Sequence, residues 1–501
     1  MSKIIGIDLG TTYSAASTID DTGRPIIVHN SDGKNITPSC ILLNEKGVLE
    51  VGEEARRSLG VSNNTAGRFK RDMGTNIKYT LGDKEYSPTD LSSVVLKKLV
   101  QDAQKTIGDI SQAVVTTPAN FANEARDATM EAAKKAGLNV EFIINEPTAA
   151  ALYYAYQGND AYGGYYAVYD FGGGTFDISV VKIDGQEIDV IATNGVSKLG
   201  GDDFDEELIK LVFSKYKDLT GDDLEKEDFT KTDAEEEKKS LSKRDKVVIR
   251  VNKKIIEVTK LEYEEKIEGL IAQAEMLCET TVDEANIKIS DLNGVFLVGG
   301  STRTPSVLKS VKDLFQQEPI STANVDEVVA LGAALYAAHK GDKSDLSSIQ
   351  KKAIEKITVT ESTSKCFGTI SLAINNERNS HERQNTTIIK KGEKIPVKRS
   401  NMFVTAFDNQ EAVECEVTES VNEEIDPAFV KIIWSGTLDL PPGRPAGQQV
   451  EVTYEYDDNQ MMKCSFKDIN SSKVTNIDLS MTKKDTSENS SDNEIDKFLV
   501  E

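Results

Sequence analysis

Apolar residues follow two alternating rhythms over the first two thirds of the chain. Ile4, Ile5 and Ile7 form a short apolar run that ends on Asp8, the mark of a buried strand. Leu96, Val100, Ala103 and Ile107 recur at the spacing of one helix face, and Ala113–Thr117 follows as a strand. Ala125, Ala128, Ala132 and Ala136 mark a further helix, stopped by Gly137 where a left-handed residue ends a helix. Val140–Ile144 is the next strand, and Pro147 suits the first turn of a helix over Thr148–Tyr156. This alternation, sustained to about residue 340, predicts an α/β architecture.

The rhythm changes after that. Gly341, Asp342, Ser344, Asp345, Ser347 and Ser348 make a polar connector that runs into Lys351–Lys356. Strand-type runs at 366–372, 402–407, 412–418, 429–434, 449–456 and 461–467 are divided by turns rich in Asn, Asp, Pro and Gly, which predicts a small all-β sandwich. Asp485–Asp496 is rich in Ser, Asn, Asp and Glu and predicts disorder. The expected organisation is an α/β domain over 1–342, a linker over 343–357, a β-sandwich over 358–480 and a tail over 481–501.

Composition narrows the class. With 38% apolar and 28% charged residues in 501, the chain fits a soluble globular protein of several units. A formal charge of −24 argues against nucleic acid as a partner, because Lys-rich pieces such as Lys351-Lys352 are short and interleaved with acids. The start runs straight into a strand with no signal-peptide core, and no stretch is long and apolar enough to span a membrane. Cys40, Cys278, Cys366, Cys415 and Cys464 are scattered and show no CxxC spacing, so inert thiols in a reducing compartment are expected. The expected location is cytoplasmic, with no membrane partner.

Two segments repeat one grammar. Ile4–Asp8 is followed by Leu9-Gly10-Thr11-Thr12-Tyr13 and a second strand through Ile19. Tyr166–Asp170 is followed by Phe171-Gly172-Gly173-Gly174-Thr175-Phe176-Asp177 and a second strand over Ile178–Ile183. Each is a hairpin with an Asp at the end of its first strand and a Gly/Thr tip. Such tips let backbone N–H groups approach a phosphate, and Asp8 and Asp170 could hold Mg²⁺ through water between them. The matched pair predicts two similar halves that face one another across a polyphosphate. A third segment, Val295–Arg303, is a buried strand that opens on Gly299 and Gly300, bare backbone on which a base or ribose could lie. Competing motifs fail: there is no GxxxxGK[ST] loop, no GxGxxG after a strand, and no HRD loop to accompany Asp170-Phe171-Gly172.

These segments resemble the Hsp70 (DnaK-type) chaperone family within the actin-like ATPase superfamily. IGIDLGTT at 5–12, PANFANEARDAT at 118–129, INEPTAAAL at 144–152, YDFGGGTFDISVV at 169–181, KLGGDDFD at 198–205, VGGSTRTP at 298–305 and DEVVALGAALYAA at 326–338 occur in family order. The resemblance implies an RNase H-like duplicated, bilobal ATPase domain followed by the β-sandwich, with ATP/ADP and Mg²⁺ as ligands. It implies that Gly10, Thr11, Thr12, Tyr13 and Gly172, Gly173, Gly174 and Thr175 contact phosphates. Asp8 and Asp170 would organise the metal shell through water. Lys70 matches the family's catalytic lysine, which could orient water and stabilise charge on the γ-phosphoryl group, while Glu146, Asp170, Thr175 and Asp177 help place water and metal. Adenosine contacts would fall to Gly200, Gly201, Glu235, Lys238, Ser242, Gly299, Gly300, Ser301, Arg303 and Asp326.

Downstream, FVTAFDNQEAV at 403–413 and PPGRPAG at 441–447 resemble the family's peptide-binding sandwich, with Ala406 and Val413 near the groove. The implied partners are client polypeptide, a J-domain protein and a nucleotide-exchange factor. Four features depart from the family pattern. Asp345-Leu346-Ser347-Ser348-Ile349 is polar where relatives have an acid and a leucine run. Asn375–Asn385 reads as a rebuilt, charged first substrate loop. No long helical segment follows the β region, so no lid is expected. Phe142 stands where relatives carry an arginine facing the J-domain partner. The expected function is a lidless Hsp70-like ATPase that holds polypeptide; the alternative is a scaffold that uses ATP as a structural ligand.

Overall fold

The apolar run at the start becomes strand Lys3–Asp8, with Ile5 and Ile7 fully buried in the structure, a computed structural model. Residues 3–158, 161–321, 324–344, 346–375 and 380–478 are described; Asp345 of the expected linker and the expected tail over 481–501 lie outside them. The chain passes from a first unit to a second between Val359 and Thr360.

Two sheets organise the first unit, and they repeat one connection pattern. In the first, Lys3–Asp8 has Ile110–Thr117 as its parallel neighbour on one side and Tyr13–Ile19, then Pro25–Val28, antiparallel on the other. In the second, Gly163–Phe171 has Leu292–Val298 in parallel on one side and Phe176–Asp184, then Glu187–Val196, antiparallel on the other. Side chains alternate between the two faces of each sheet, so each needs cover on both. Ile5, Ile7 and Val115 pack under helices Pro88–Ile107 and Asn123–Lys135. Tyr169, Phe171 and Ile178 pack under helices Gly201–Thr220 and Lys260–Glu284.

The remaining faces share a core. Ile19, Val114 and Ile144 from the first sheet and Val168, Val181 and Phe296 from the second meet around helices Glu146–Gln157 and Val328–Lys340. The second of these helices is buried from Val328 to Ala338 and carries Gly332, where a Cβ would lie 1.7 Å from the Ala149 carbonyl oxygen. Only the missing side chain lets the two helices cross so closely. The helix expected over Thr148–Tyr156 begins earlier, at Glu146, because proline is tolerated in a first turn whose N–H groups have no helical partner. Helix Asn123–Lys135 ends as its sequence predicts: Gly137 takes φ +79°, its N–H bonds Lys134 O, and Leu138 N–H bonds Ala133 O.

The connector has structure of its own. Ser347 and Gln350 form a reciprocal cap on helix Ser348–Ala353, and Gln350 Nε2 donates to Asp20 O at 3.0 Å. Ile354 and Ile357 are buried in the shared core, and strand Thr358–Thr360 extends the second sheet beside Glu187–Val196. The polar composition hid this because Gln350, Ile354 and Ile357 are the strongly buried positions among its described residues and lie three to four residues apart.

The second unit has two antiparallel sheets of four strands. One orders Ser380–Ile389, Cys366–Asn375, Ala412–Ser420 and Lys431–Asp439; the other orders Val397–Val404, Gln449–Tyr456, Met462–Asp468 and Val474–Asp478. Phe367, Ile389, Val417 and Leu438 from one meet Val450, Tyr454 and Phe466 from the other in a single core, and Tyr454 donates to Gly368 O at 2.7 Å between the sheets. The reading of Asn375–Asn385 as a loop is corrected. Asn375 ends one strand, and Ser380–Ile389 is a strand at the edge of its sheet, with Glu382 and Arg383 exposed and Asn385 buried. Residues 376–379 lie outside the described ones. Strand Val474–Asp478 was also not anticipated; it too is an edge strand.

Candidate nucleotide site

Both hairpins carry their Asp where the pattern placed it. Asp8 closes its strand opposite Ala15, and Asp170 pairs with Asp177 across the second hairpin. The two tips touch. A Cβ on Gly173 would sit 2.0 Å from Thr12 Oγ1, and one on Gly174 would sit 2.7 Å from Thr11 Cγ2. Thr12 Oγ1 is buried there without a hydrogen-bond partner. The first tip is braced by serines: Gly10 N–H donates to Ser14 Oγ at 3.1 Å, and Ser39 Oγ donates to Gly10 O at 2.8 Å. The second is braced from behind. Ser301 Oγ and Gly201 N–H both donate to Gly172 O, at 2.7 and 3.0 Å, and Asp202 N–H donates to Gly173 O at 2.7 Å.

Four carboxylates and one ammonium lie beside the tips. Lys70, only 5% exposed, makes an ion pair with Glu146, the first residue of its helix. Burial, and then the nearby Glu146 charge, push the Asp8 carboxyl up to about 7, against the pull of Lys70 and a 2.9 Å hydrogen bond from Thr116. Burial and Glu146 likewise push Asp177 up to about 8, although Asn120 N–H donates to its Oδ1 at 3.3 Å. Asp170 is held well above the usual carboxylate range by burial, Glu146, Asp177 and Asp8. Lys70, with Arg126 acting on Asp177, is too little positive charge for four buried acids.

A hydrated cation fits this arrangement. Among the described residues no group of His, Cys, Asp or Glu stands close enough to ligate an ion directly. The donors are instead separate carboxylates and an orphaned Asp177 Oδ2, a set that suits Mg²⁺ with its water shell retained. Asp8 and Asp170 are the residues that would hold it through water.

The third loop joins the same place. Gly299 takes φ +80°, and a Cβ there would lie 2.4 Å from Phe171 O and 2.8 Å from Asp170 Oδ1, so a side chain is excluded on both counts. Gly200 backs onto Gly173 O at 2.4 Å, and Gly201 onto Ser301 Oγ at 2.7 Å, each measured from its would-be Cβ. Lys238 Nζ donates to Gly201 O at 2.8 Å and pairs with Asp205 at 2.7 Å; Ser242 Oγ donates to Lys238 O one turn on. Arg303 pairs with Asp326 at 2.7 Å, beside Gly300. Glu235 is buried, yet Lys239 at 2.8 Å and Arg56 at 3.1 Å outweigh that burial and hold its carboxyl down to about 2. Tyr13 lies between the same two cations, 5.8 Å from Arg56 and 6.0 Å from Lys239.

Sequence reasoning missed Thr116, Asn120, Arg56, Arg68, Arg71 and Asp202. Thr116 and Thr117 left a signal, two polar residues in the buried end of an otherwise apolar strand. In the second unit, Ala406 is half-buried in the turn after Val397–Val404, its N–H bonded to Gln410 Oε1 at 3.0 Å. Val413 is half-buried opposite Leu438. The two flank one turn, next to exposed Met402, Val404 and Phe407.

A family model described as "Hsp70 protein" matches residues 4–501.

Proposed function

The chain belongs to the Hsp70 family, whose members are ATP-binding chaperones with ATPase activity, and on that premise we propose that its first unit binds and hydrolyses Mg-ATP in the cleft between the hairpin tips. The contact between Gly173 and Thr12 carries this reading, because it brings two phosphate-type loops from separate sheets to one point. The repeated strand order supports a duplicated, bilobal, actin-like fold for this unit.

In this reading Thr11, Thr12, Tyr13 and Gly172–Thr175 hold the phosphates through backbone N–H and hydroxyl groups. Bound Mg²⁺ would supply charge for the β- and γ-oxygens. Lys70 orients the attacking water and stabilises negative charge on the γ-phosphoryl group. Glu146 fixes Lys70 in place, and Asp177 Oδ2 accepts a hydrogen bond from that water. Gly200, Gly201, Glu235, Lys238, Ser242, Gly299, Gly300, Ser301, Arg303 and Asp326 surround the nucleoside. Single-turnover phosphate release from the full chain tests the reading; tight nucleotide binding with no phosphate released over hours would leave only the alternative, a scaffold that keeps ATP as a structural ligand. That alternative has one observation in its favour. Residues 348–359 are folded into the first unit, which removes a free linker that could report the nucleotide state.

The second unit is proposed to hold unfolded or partner polypeptide near Ala406 and Val413, supported by the exposed apolar side chains beside them. A J-domain protein and a nucleotide-exchange factor are the partner classes this function calls on. Peptide off-rates measured with ATP and with ADP test coupling; equal rates mean that the two units work independently. Among the described residues no helix is long and apolar enough to cross a membrane. The described thiols are all free and buried, which supports a reducing, cytoplasmic setting.

A further inference from the structure

Helix Glu146–Gln157 starts at the nucleotide site and ends at a second cleft, about 16 Å further along its axis at a rise of about 1.5 Å per residue. The cleft has a volume of about 550 Å³, within the range of small-molecule sites. Tyr153 and Tyr156, three residues apart on one helix face, line it. Arg24 joins them from just before strand Pro25–Val28, and Gln186 from the turn between Phe176–Asp184 and Glu187–Val196. Lys352 and Lys356 come from the connector, which closes one side. Gln350 Nε2 donates to Asp20 O at 3.0 Å, and Thr358 N–H donates to Gln186 O at 3.2 Å. Between those two ties Ala353 packs on Gly23, where φ is +83° and a Cβ would lie 2.4 Å from the Ala353 Cβ. Tyr156 Oη donates to Gly23 O at 3.2 Å on the same side.

Charge and hydrogen bonding are both out of balance there. Arg24, Lys352 and Lys356 line the cleft and no described Asp or Glu does, in a chain whose net charge is −24. Arg24 meets Asp20 through Nε, at 3.2 Å, with its side chain 70% exposed. Gln186 Oε1 is buried and accepts no hydrogen bond among the described residues. An anion answers the cations, and a hydroxyl on the same molecule answers the amide oxygen. We propose that this cleft binds a small phosphate ester that carries hydroxyl groups, of the sugar-phosphate class. Its phosphoryl oxygens accept from Arg24 and Lys352, with Lys356 beside them, and a hydroxyl donates to Gln186 Oε1. The tyrosine rings give the carbon skeleton an apolar surface. Because two of the three cations belong to the connector, the ligand also holds the connector on the first unit. The end of helix Ser348–Ala353 accounts for part of the positive charge, since Lys352 lies in its last turn, but not for the orphaned oxygen. None of these residues is assigned to the nucleotide, so the proposal does not rest on that reading.

The test is titration calorimetry of the full chain with fructose bisphosphate, sulfate and fructose, with ADP present throughout to occupy the nucleotide cleft. Fructose bisphosphate is expected to bind, sulfate to bind more weakly, and neutral fructose not to bind. Arg24→Gln and Lys352→Gln should each weaken the bisphosphate roughly tenfold, the equivalent of about 1.4 kcal/mol. Both side chains are exposed, so neither change removes core packing. Gln186→Leu should weaken the bisphosphate by a similar factor and leave sulfate unchanged, since sulfate has no hydroxyl to donate. Bound bisphosphate should also slow tryptic cleavage after Lys351 and Lys352, because cleavage requires the connector to leave the first unit. No bisphosphate binding at millimolar concentration overturns the proposal. Equal affinity in wild type, Arg24→Gln and Lys352→Gln places the ligand elsewhere and overturns it too. A Lys352→Gln chain with a lower urea midpoint and unchanged affinity shows that the lysine serves only its helix end, with the same consequence. Unchanged bisphosphate affinity in Gln186→Leu overturns the assignment to hydroxyl-bearing esters.

Discussion

Lys70 and Glu146, 76 positions apart, are joined as a buried ion pair beside the hairpin tips. The lysine comes from a single turn and the glutamate from the start of a helix, where the macrodipole favours a negative charge. A carboxylate so placed fixes the ammonium beside the hairpin tips.

Replacing Lys70 by Ala is expected to slow phosphate release by about 10²–10³-fold, the usual loss when one preorganised electrostatic group is removed. Nucleotide affinity should change far less. Single-turnover release and equilibrium binding measure the two separately, and turnover at the wild-type rate would take Lys70 out of the mechanism.

Contact between the tips can be tested without any nucleotide. Gly173→Ala drives a methyl group into Thr12 Oγ1 and should cost about 1–3 kcal/mol, read from the urea midpoint. Adding Thr12→Ala removes the obstacle and should recover most of that loss. No recovery would mean that the tips do not meet in solution.

Stability should depend on acid through Glu235. Its folded carboxyl is held down to about 2 against about 4.3 in an unfolded chain, so its contribution is present above the higher value and is lost as pH falls toward the lower. The size is about 3 kcal/mol at most. Glu235→Gln should therefore lie below wild type near pH 6, with the gap narrowing between pH 4 and 2. A gap that does not change with pH would show that Glu235 acts by packing alone.

Truncation should reveal where the first unit gains its last stabilisation. A chain ended after Val359 keeps Ile354 and Ile357 in the core; one ended after Asp342 loses both. The longer form should be more stable by several kcal/mol, at about 2–5 per buried isoleucine removed. Equal denaturation midpoints would mean that residues 348–359 do not hold to this unit in solution.

Much of the site was legible because its chemistry is local. Gly172, Gly173, Gly174 and Thr175 announce a phosphate-type turn within four residues, and their match to Gly10, Thr11 and Thr12 implies a facing pair. The β-strands with apolar alternation, such as Gln449–Tyr456, were equally plain. The edge strand Ser380–Ile389 was not, since its buried apolar residues, Ile388 and Ile389, lie at one end and show no alternation. The helix at Ser348–Ala353 escaped for a similar reason, with one buried side chain in six residues.

Local order along the chain thus determined the elements, the two hairpins and their aspartates, because periodicity and turn chemistry act over a few residues. Tertiary structure alone decided that Gly173 rests on Thr12, that Lys70 is buried on Glu146, and that Arg68 reaches Asp202. Those pairs are 76 or more residues apart, and no propensity encodes them. They exist because two sheets bury one common core and thereby bring their loops to the same point.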